Sequence, residues 1–395
     1  MMTGKWCCAA LLCAGINAFA QITPAEGSAS PKLVPRTKAE RDAQYAFHHR
    51  ILLNVQVTDS SGHSVNGLNA SNFTLKIDNS PQAITSFRAI EDGGTTAHAR
   101  AFFVIDKLNN SARDLGQVHK AIKALAGSRQ SLPLPTSLLV VTEGGTEVSS
   151  ASRNAEELAA KLERATKGFH LSDCTEDWNN AALGTEVATM GSLDNVNRTK
   201  NREAAADKIG SCLNMKYWLS FTALLGFAHQ QRDVPGRAIV IWIGPGWPIL
   251  SGREFSPEMP YVRESFFRNL VNASTELREA QVTLEAVSWP ALSPISKLNY
   301  SDLDTLVRET PTAAQASARS VAMPVLAHDS GGQVHMREKN LTQGMAKCLA
   351  DANSYYVLGF DAAPATTPDE YRAIQITIDK PGVTVRTNTG YYAQP

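Results

Sequence analysis

Residues 101–106 read Ala101-Phe102-Phe103-Val104-Ile105-Asp106, an unbroken apolar run closed by one carboxylate. A strand with one wet face alternates apolar and polar side chains. A strand with no polar member is covered on both faces, as in parallel sheets flanked by crossover helices. The residues that follow agree. Ser111 and Asp114 stand three apart at a helix start, and Leu115, Val118, Ile122 and Leu125 recur at helical spacing. Leu138 to Val141 is the next strand, and Gly144-Gly145 turns it into a short antiparallel arm at Thr146 to Ser149. Asn154 and Glu157 cap a helix carrying Leu158 and Leu162. Tyr217 to Gln231 is helical, Pro235-Gly236 punctuates, and Ala238 to Ile243 is another apolar strand. Phe266, Leu270 and Leu277 stripe a further helix. Val282 to Val287, Val334 to Met336 and Tyr355 to Phe360 supply later strands of this sheet, with a helix from Leu341 to Asn353 between the last two. The expected fold is α/β, a Rossmann-type, doubly wound and mostly parallel sheet with helices on both faces.

Outside this centre the period changes to two. Leu53, Val55 and Val57 alternate with Asn54, Gln56 and Thr58; Phe73, Leu75 and Ile77 make a second alternation. At the other end Ile374, Ile376 and Ile378 share one face. Pro381-Gly382 supplies a turn, and Val383 and Val385 run back as a hairpin. Neither β unit buries enough apolar surface to stand alone. The expectation is one small accessory sandwich built from both. The domains expected are therefore a β module at 48–92, the α/β domain at 98–362, and a C-terminal β hairpin at 363–395 joined to the first module. Residues 166–215 resist the pattern. They hold Cys174, Trp178, Cys212 and many Asn, Asp and Lys, and read as an insertion, either a functional loop or a disordered segment.

The first residues read as an address. Lys5 precedes the uncharged run Trp6 to Ala18, and Ala18-Phe19-Ala20 gives a small-x-small cleavage pattern before Gln21. This is the signature of a secretory signal peptide at 1–20, followed by a flexible leader at 21–47. Leu12 before Cys13 argues against lipidation. No later run is long and apolar enough to span a bilayer. The expected location is secreted or periplasmic. The 395-residue chain has 38 basic and 38 acidic side chains, so no basic stripe points to nucleic acid. Cys174, Cys212 and Cys348 remain after cleavage. In an oxidising compartment a Cys174–Cys212 bridge across the insertion is the expectation, with Cys348 on the buried helical face of Leu341, Met345 and Leu349. No Cys pair has zinc-ligand spacing.

In order and spacing, several segments resemble the acidobacterial von Willebrand factor A (VWFA)-related proteins, over roughly residues 48–395. They are Val55-x-Val57-x-Asp59-x-x-Gly62 with Leu68, Phe73 and Ile77; Phe102 to Asp106; and Pro235-Gly236-Arg237 with Ile239 to Ile243. Later come Ser330-Gly331-Gly332 with Leu341, Ser354 to Phe360, and Gly390-Tyr391-Tyr392. The resemblance implies a VWFA-like fold, with one antiparallel edge strand, and a ligand-binding module. Many such modules hold a divalent cation at the top of the sheet. The standard site has Asp-x-Ser-x-Ser after the first strand, an Asp-Gly pair after the fourth, and a Thr before a helix. Here the first is Asp106-Lys107-Leu108-Asn109-Asn110, and the second is Gly244-Pro245-Gly246. Trp218 and Leu219, with Ser220 nearby, stand where the Thr is expected. Mg²⁺ needs several oxygens in tight octahedral geometry. Asp106 is the only metal candidate left, and the site reads as degenerate.

Asp106 still ends the strand at a topological switch point, where open α/β sheets bind ligands. It reads equally as a turn cap, or as an ion-pair partner of Lys107 or Arg237. Trp247 and Trp289 follow strand ends and are placed in top-face loops, where exposed Trp marks binding hot spots; packing of one loop on the other is the alternative. Trp242 is read as core. The candidate ligand surface is Asp106, Asn109, Asn110, Ser111, Gly244, Gly246, Trp247 and Trp289. The sequence contains no nucleophile elbow, no His-Glu-x-x-His and no phosphate-binding Gly-rich loop. The functional expectation is an exported, non-enzymatic protein-binding module with no cofactor and an unidentified protein partner. The second reading is an envelope-associated scaffold working through the β unit or the insertion.

Overall fold

The structure is a computed structural model. It describes residues 49–91, 99–128, 131–167, 174, 194–244, 246–247, 255–256, 258–287, 307–335, 340–350 and 354–395. The expected signal peptide and leader lie outside them. In chain order, four strands come first: β1 (Arg50–Asp59), β2 (Phe73–Ile77), β3 (Ser80–Gln82) and β4 (Ser86–Ile90). The centre runs β5 (Arg100–Asp106), α1 (Ala112–Ser128), β6 (Thr136–Thr142), β7 (Gly145–Val148), α2 (Ala155–Thr166) and α3 (Asp194–Gln231). It continues β8 (Ala238–Ile243), α4 (Pro260–Glu279), β9 (Val282–Val287), α5 (Met323–Asp329), β10 (Val334–His335) and α6 (Leu341–Ala350). The chain closes with β11 (Tyr355–Asp361), β12 (Glu370–Ile378), β13 (Val383–Arg386) and β14 (Gly390–Ala393).

The central sheet has the order β10-β9-β8-β5-β6-β7. Its first five strands are parallel and β7 is antiparallel at the edge. The run at 101–105 is apolar because both of its faces are covered. Phe102 and Val104 pack with Val240, Trp242 and Leu139 beneath α3 and α4. Phe103 and Ile105 pack with Ile241, Ile243 and Val140 beneath α1, α2 and α6. Each large side chain fully buried this way contributes roughly 1.5–3 kcal/mol. This mixed α/β, mostly parallel sheet with helices on both faces is compatible with a Rossmann-like fold. The chain reverses its direction of travel across the sheet between β5 and β8, so their carboxyl ends bracket the switch point.

The outer strands form two four-stranded sheets, β13-β1-β11-β4 and β14-β12-β2-β3. They face one another over Leu53, Val55, Phe73, Leu75, Leu358, Phe360, Ile374 and Tyr391. N- and C-terminal strands interleave: β1 lies between β11 and β13, and β12 lies between β14 and β2.

Three expectations need correction. The run at Tyr355 to Phe360 is not a strand of the central sheet, so the α/β domain does not extend to 362. As β11 it pairs antiparallel with β1 and β4. Its continuous apolar character has the same physical origin as that of β5: Tyr356, Leu358 and Phe360 face the sandwich interior, while Tyr355 and Val357 face the helical core. The expected C-terminal hairpin also fails in detail. Gly382 takes the left-handed turn at φ 75°, but β13 crosses to β1 in the other sheet, and β12 pairs instead with β14, Glu370 opposite Ala393. Finally, residues 194–215 are no loop; they are the first half of α3. Cys212 in that helix is bonded to Cys174, with their Cα atoms 5.7 Å apart.

The sandwich docks against the amino ends of β8 and β9. Arg237, buried just before β8, donates to Thr283 Oγ1 at 3.0 Å and to Gln56 Oε1 at 3.1 Å. Its guanidinium lies 5.2 Å from the centre of the Tyr355 ring. Gln281, held at φ 53° before β9, donates to the Leu52 carbonyl at 3.1 Å. The carboxyl ends of β5 and β8 are at the opposite end of the sheet.

Candidate functional site at the carboxyl ends of β5 and β8

Asp106 closes β5 opposite Val141 of β6. Its side chain has no solvent exposure. Oδ1 accepts from the Leu108 amide N–H at 3.0 Å, the local turn that a carboxylate after a strand forms readily. Oδ2 accepts from Asn109 Nδ2 at 2.7 Å and from Ser220 Oγ at 2.9 Å. Asn109 Nδ2 also reaches Ser220 Oγ at 2.9 Å. Asp106, Asn109 and Ser220 thus close a triangle between the β5 turn and α3. Burial pushes the Asp106 carboxyl up to about 6, and the bonds from Asn109, Ser220 and Leu108 hold it back from rising further.

Asn110 plugs the gap between the two strand ends. Its Nδ2 donates to the Asp106 carbonyl at 2.9 Å and to the Ile243 carbonyl at 3.2 Å. It has no solvent exposure either. Gly244 must be glycine here. Its φ is 144°, and a Cβ would stand 2.6 Å from Asn110 Nδ2. Gly246, at φ 73°, presses on α5 so closely that a Cβ would meet Met323 Cβ at 2.9 Å. Ser111 is occupied by a helix cap: its Oγ accepts from the Asp114 amide at 3.2 Å and donates to Asp114 Oδ2 at 2.6 Å. Lys107 turns away, donating from Nζ to the Ala165 carbonyl at the end of α2 at 3.0 Å.

The structure therefore brings Asp106, Asn109, Asn110 and Gly244 together, and it makes them a closed network rather than an open surface. Of the alternatives for Asp106, the turn cap is present. Lys107 is engaged elsewhere, and Arg237 lies at the other end of the sheet. Trp247 needs correction as an exposed contact residue. Only 3% of it is accessible. Its indole donates to the Val321 carbonyl at 2.8 Å and stands edge-on to Trp242, Phe221 and Tyr217. A large amphipathic ring whose N–H finds a backbone partner gains more from burial than from water. Trp289 and Pro245 lie outside the described residues.

Ser220 is the member that sequence reading left at the margin. The signal was present: α3 carries Tyr217, Phe221 and Leu224 on its buried stripe, and Ser220 is a lone hydroxyl within it. Buried hydroxyls are bonded to something. Among the described residues, Met215 and Trp218 on α3 are exposed, at 47% and 39% accessible, with Trp218 edge-on to Tyr217 and Phe221.

A concavity elsewhere on the molecule was not legible at all. A cleft of about 790 Å³ opens between the sandwich and the α5–β10 turn, lined among others by His328, Gly332, Ile376, Arg386 and Asn388. Among the described residues no helix is long and apolar enough to cross a membrane. No protein-family model matches the chain, and no curated protein matches it either.

Proposed function

We propose that this chain is an exported, non-enzymatic protein-binding module of the VWFA-like type, in which a metal-dependent site has been replaced by an internal hydrogen-bond network. One observation carries the reading: both oxygens of the Asp106 carboxylate already accept from Leu108, Asn109 and Ser220. A hard cation needs oxygens directed at it. Here the carboxylate meets N–H and O–H donors, so a cation at Oδ2 would have to compete with Asn109 and Ser220 for its lone pairs. Binding of a partner then proceeds without a divalent ion. The contact surface moves from the buried Trp247 to the exposed Met215 and Trp218 on α3, since Trp is enriched among residues that dominate interface energy.

Two measurements test this. Titration calorimetry of the chelator-treated protein with Mg²⁺, Mn²⁺ and Ca²⁺ is expected to show no Asp106-dependent binding tighter than roughly 100 μM, about 5.5 kcal/mol. Capture of a partner from an extracellular fraction is expected to survive chelator and to fail with Trp218→Ala. Capture that chelator abolishes and Mg²⁺ or Ca²⁺ restores, or a tight site abolished by Asp106→Ala, refutes the reading. The cleft beside the α5–β10 turn supports a second reading, an envelope scaffold working through the sandwich; capture lost with Ile376→Asp but kept with Trp218→Ala would favour it.

A further inference from the structure

We propose that Glu285, His335 and Cys348 form a buried site for one zinc-type divalent ion, separate from the Asp106 network. Glu285 is the single charge in the strand Val282-Thr283-Leu284-Glu285-Ala286-Val287, and it is 1% exposed. An ionised carboxylate is expensive to bury unless it is matched by opposite charge. Strand register places the ligands together. Glu285 lies opposite Ile241 on the face covered by α6, and His335 on β10 lies opposite Val287, two residues on and therefore on the same face. Cys348 projects from α6 onto that face between Met345 and Leu349.

The three ligand atoms lie within 4.8 Å of one another, and all three residues are buried. Glu285 Oε2 and His335 Nε2 are 3.5 Å apart. Ligands about 2.0–2.3 Å from a tetrahedral zinc stand roughly 3.3–3.8 Å from each other. The carboxylate–imidazole edge already has that length, and the remaining edges, at most 4.8 Å, close with an adjustment of at most about 1.0–1.5 Å. The Gln333 backbone N–H donates to Glu285 Oε2 at 2.8 Å and orients the carboxylate.

Ligand chemistry selects the ion. A thiolate, an imidazole and one carboxylate suit zinc and its neighbours and are poor partners for Mg²⁺ or Ca²⁺. Charge agrees: a divalent ion neutralises one thiolate and one carboxylate, leaving the buried unit uncharged. The thiol proton leaves to solvent on binding, so affinity rises with pH. An ion here clamps α6 and the two-residue strand β10 onto β9. The rival account is a Glu285–His335 ion pair with Cys348 as packing.

The full chain, dialysed against chelator, is titrated with Co²⁺ and then with Zn²⁺. The expected result is one equivalent of Co²⁺ giving tetrahedral d–d bands and a thiolate-to-cobalt charge-transfer band, displaced by Zn²⁺. Cys348→Ser should remove the charge-transfer band and weaken Zn²⁺ binding by roughly 100-fold or more, while Asp106→Ala should leave both unchanged. Melting temperature should rise with Zn²⁺ in the wild type and not in Glu285→Gln. Circular dichroism establishes that each variant is folded, and the wild-type melts with and without Zn²⁺ decide the matter if one is not. No cobalt spectrum, Zn²⁺ uptake untouched by Cys348→Ser, or wild-type melting indifferent to Zn²⁺ would each overturn the site and leave the ion pair.

Discussion

The Ser220 hydroxyl donates to Asp106 Oδ2 at 2.9 Å, across a separation of 114 residues. With the Asn109 Nδ2–Ser220 Oγ bond it ties the middle of α3 to the end of β5, and the Ser220 and Asp106 side chains are fully buried. Removing a hydroxyl from a buried charged partner costs about 1–3 kcal/mol. Ser220→Ala should therefore lower stability by that amount at pH 7.5, where the carboxylate is ionised, and by less at pH 4.5. Urea unfolding at the two pH values reads the difference; equal losses at both would show that the bond does not favour the charged form.

The raised carboxyl of Asp106 makes a signed prediction. Burial lifts it to about 6, so the folded state holds its proton more tightly than the unfolded chain, where an aspartate titrates near its ordinary value of about 3.9. Its contribution is fully present below about pH 4 and is lost as pH rises to about 6, an effect on the order of 3 kcal/mol. Asp106→Asn removes that segment. The stability of wild type minus variant, measured across pH 4–7, should fall with pH and then level. A difference that is flat with pH would place the carboxyl in a more polar setting than the structure does.

The Cys174–Cys212 bridge spans a separation of 38 residues. Chain-entropy arguments give a closed loop of that size about 4 kcal/mol of stabilisation. The double variant Cys174→Ser, Cys212→Ser should lose stability on that order, and non-reducing peptide mapping should join these two peptides while leaving Cys348 a thiol. Recovery of a Cys212–Cys348 peptide would contradict the arrangement.

What the sequence disclosed and what it concealed divide along a physical line. The run at 101–106 and the strand Ala238–Ile243 were readable because each is apolar on both faces, and the intervening helices repeat at their own period. The same rule misassigned Tyr355 to Phe360, since a strand caught between the sandwich and the helical core is also apolar on both faces. At the candidate site Asp106, Asn109, Asn110 and Gly244 were legible because they are consecutive to strand ends. Ser220 was only marginal, because its partner is remote in sequence. Trp247 was placed correctly in a loop and wrongly in water, for its burial depends on the Val321 carbonyl, 74 residues later. Glu285, His335 and Cys348 carry no spacing motif; only the register of β9, β10 and α6 assembles them.

Interleaving of the two chain ends makes particular N-terminal strands depend on C-terminal partners, and that is open to a direct test. β2 has β12 on one side, with Ile374 opposite Ile77 and Ile378 opposite Phe73, and only the three-residue β3 on the other. Along β1, residues 56–59 pair with β13, whereas residues 50–55 pair with β11. Truncation before residue 371 removes β12, β13 and β14 but leaves β11 in place. Amide hydrogen exchange should then accelerate strongly at 73–77, which loses its one long partner, and at 56–59. It should change less at 51–55, which keeps its ladder to β11 and its Gln281–Leu52 bond to the α/β core. The graded pattern is the informative part. Uniform loss across 51–77 would mean the sandwich unfolds as one unit, and unchanged protection at 73–77 would mean that β2 does not depend on β12.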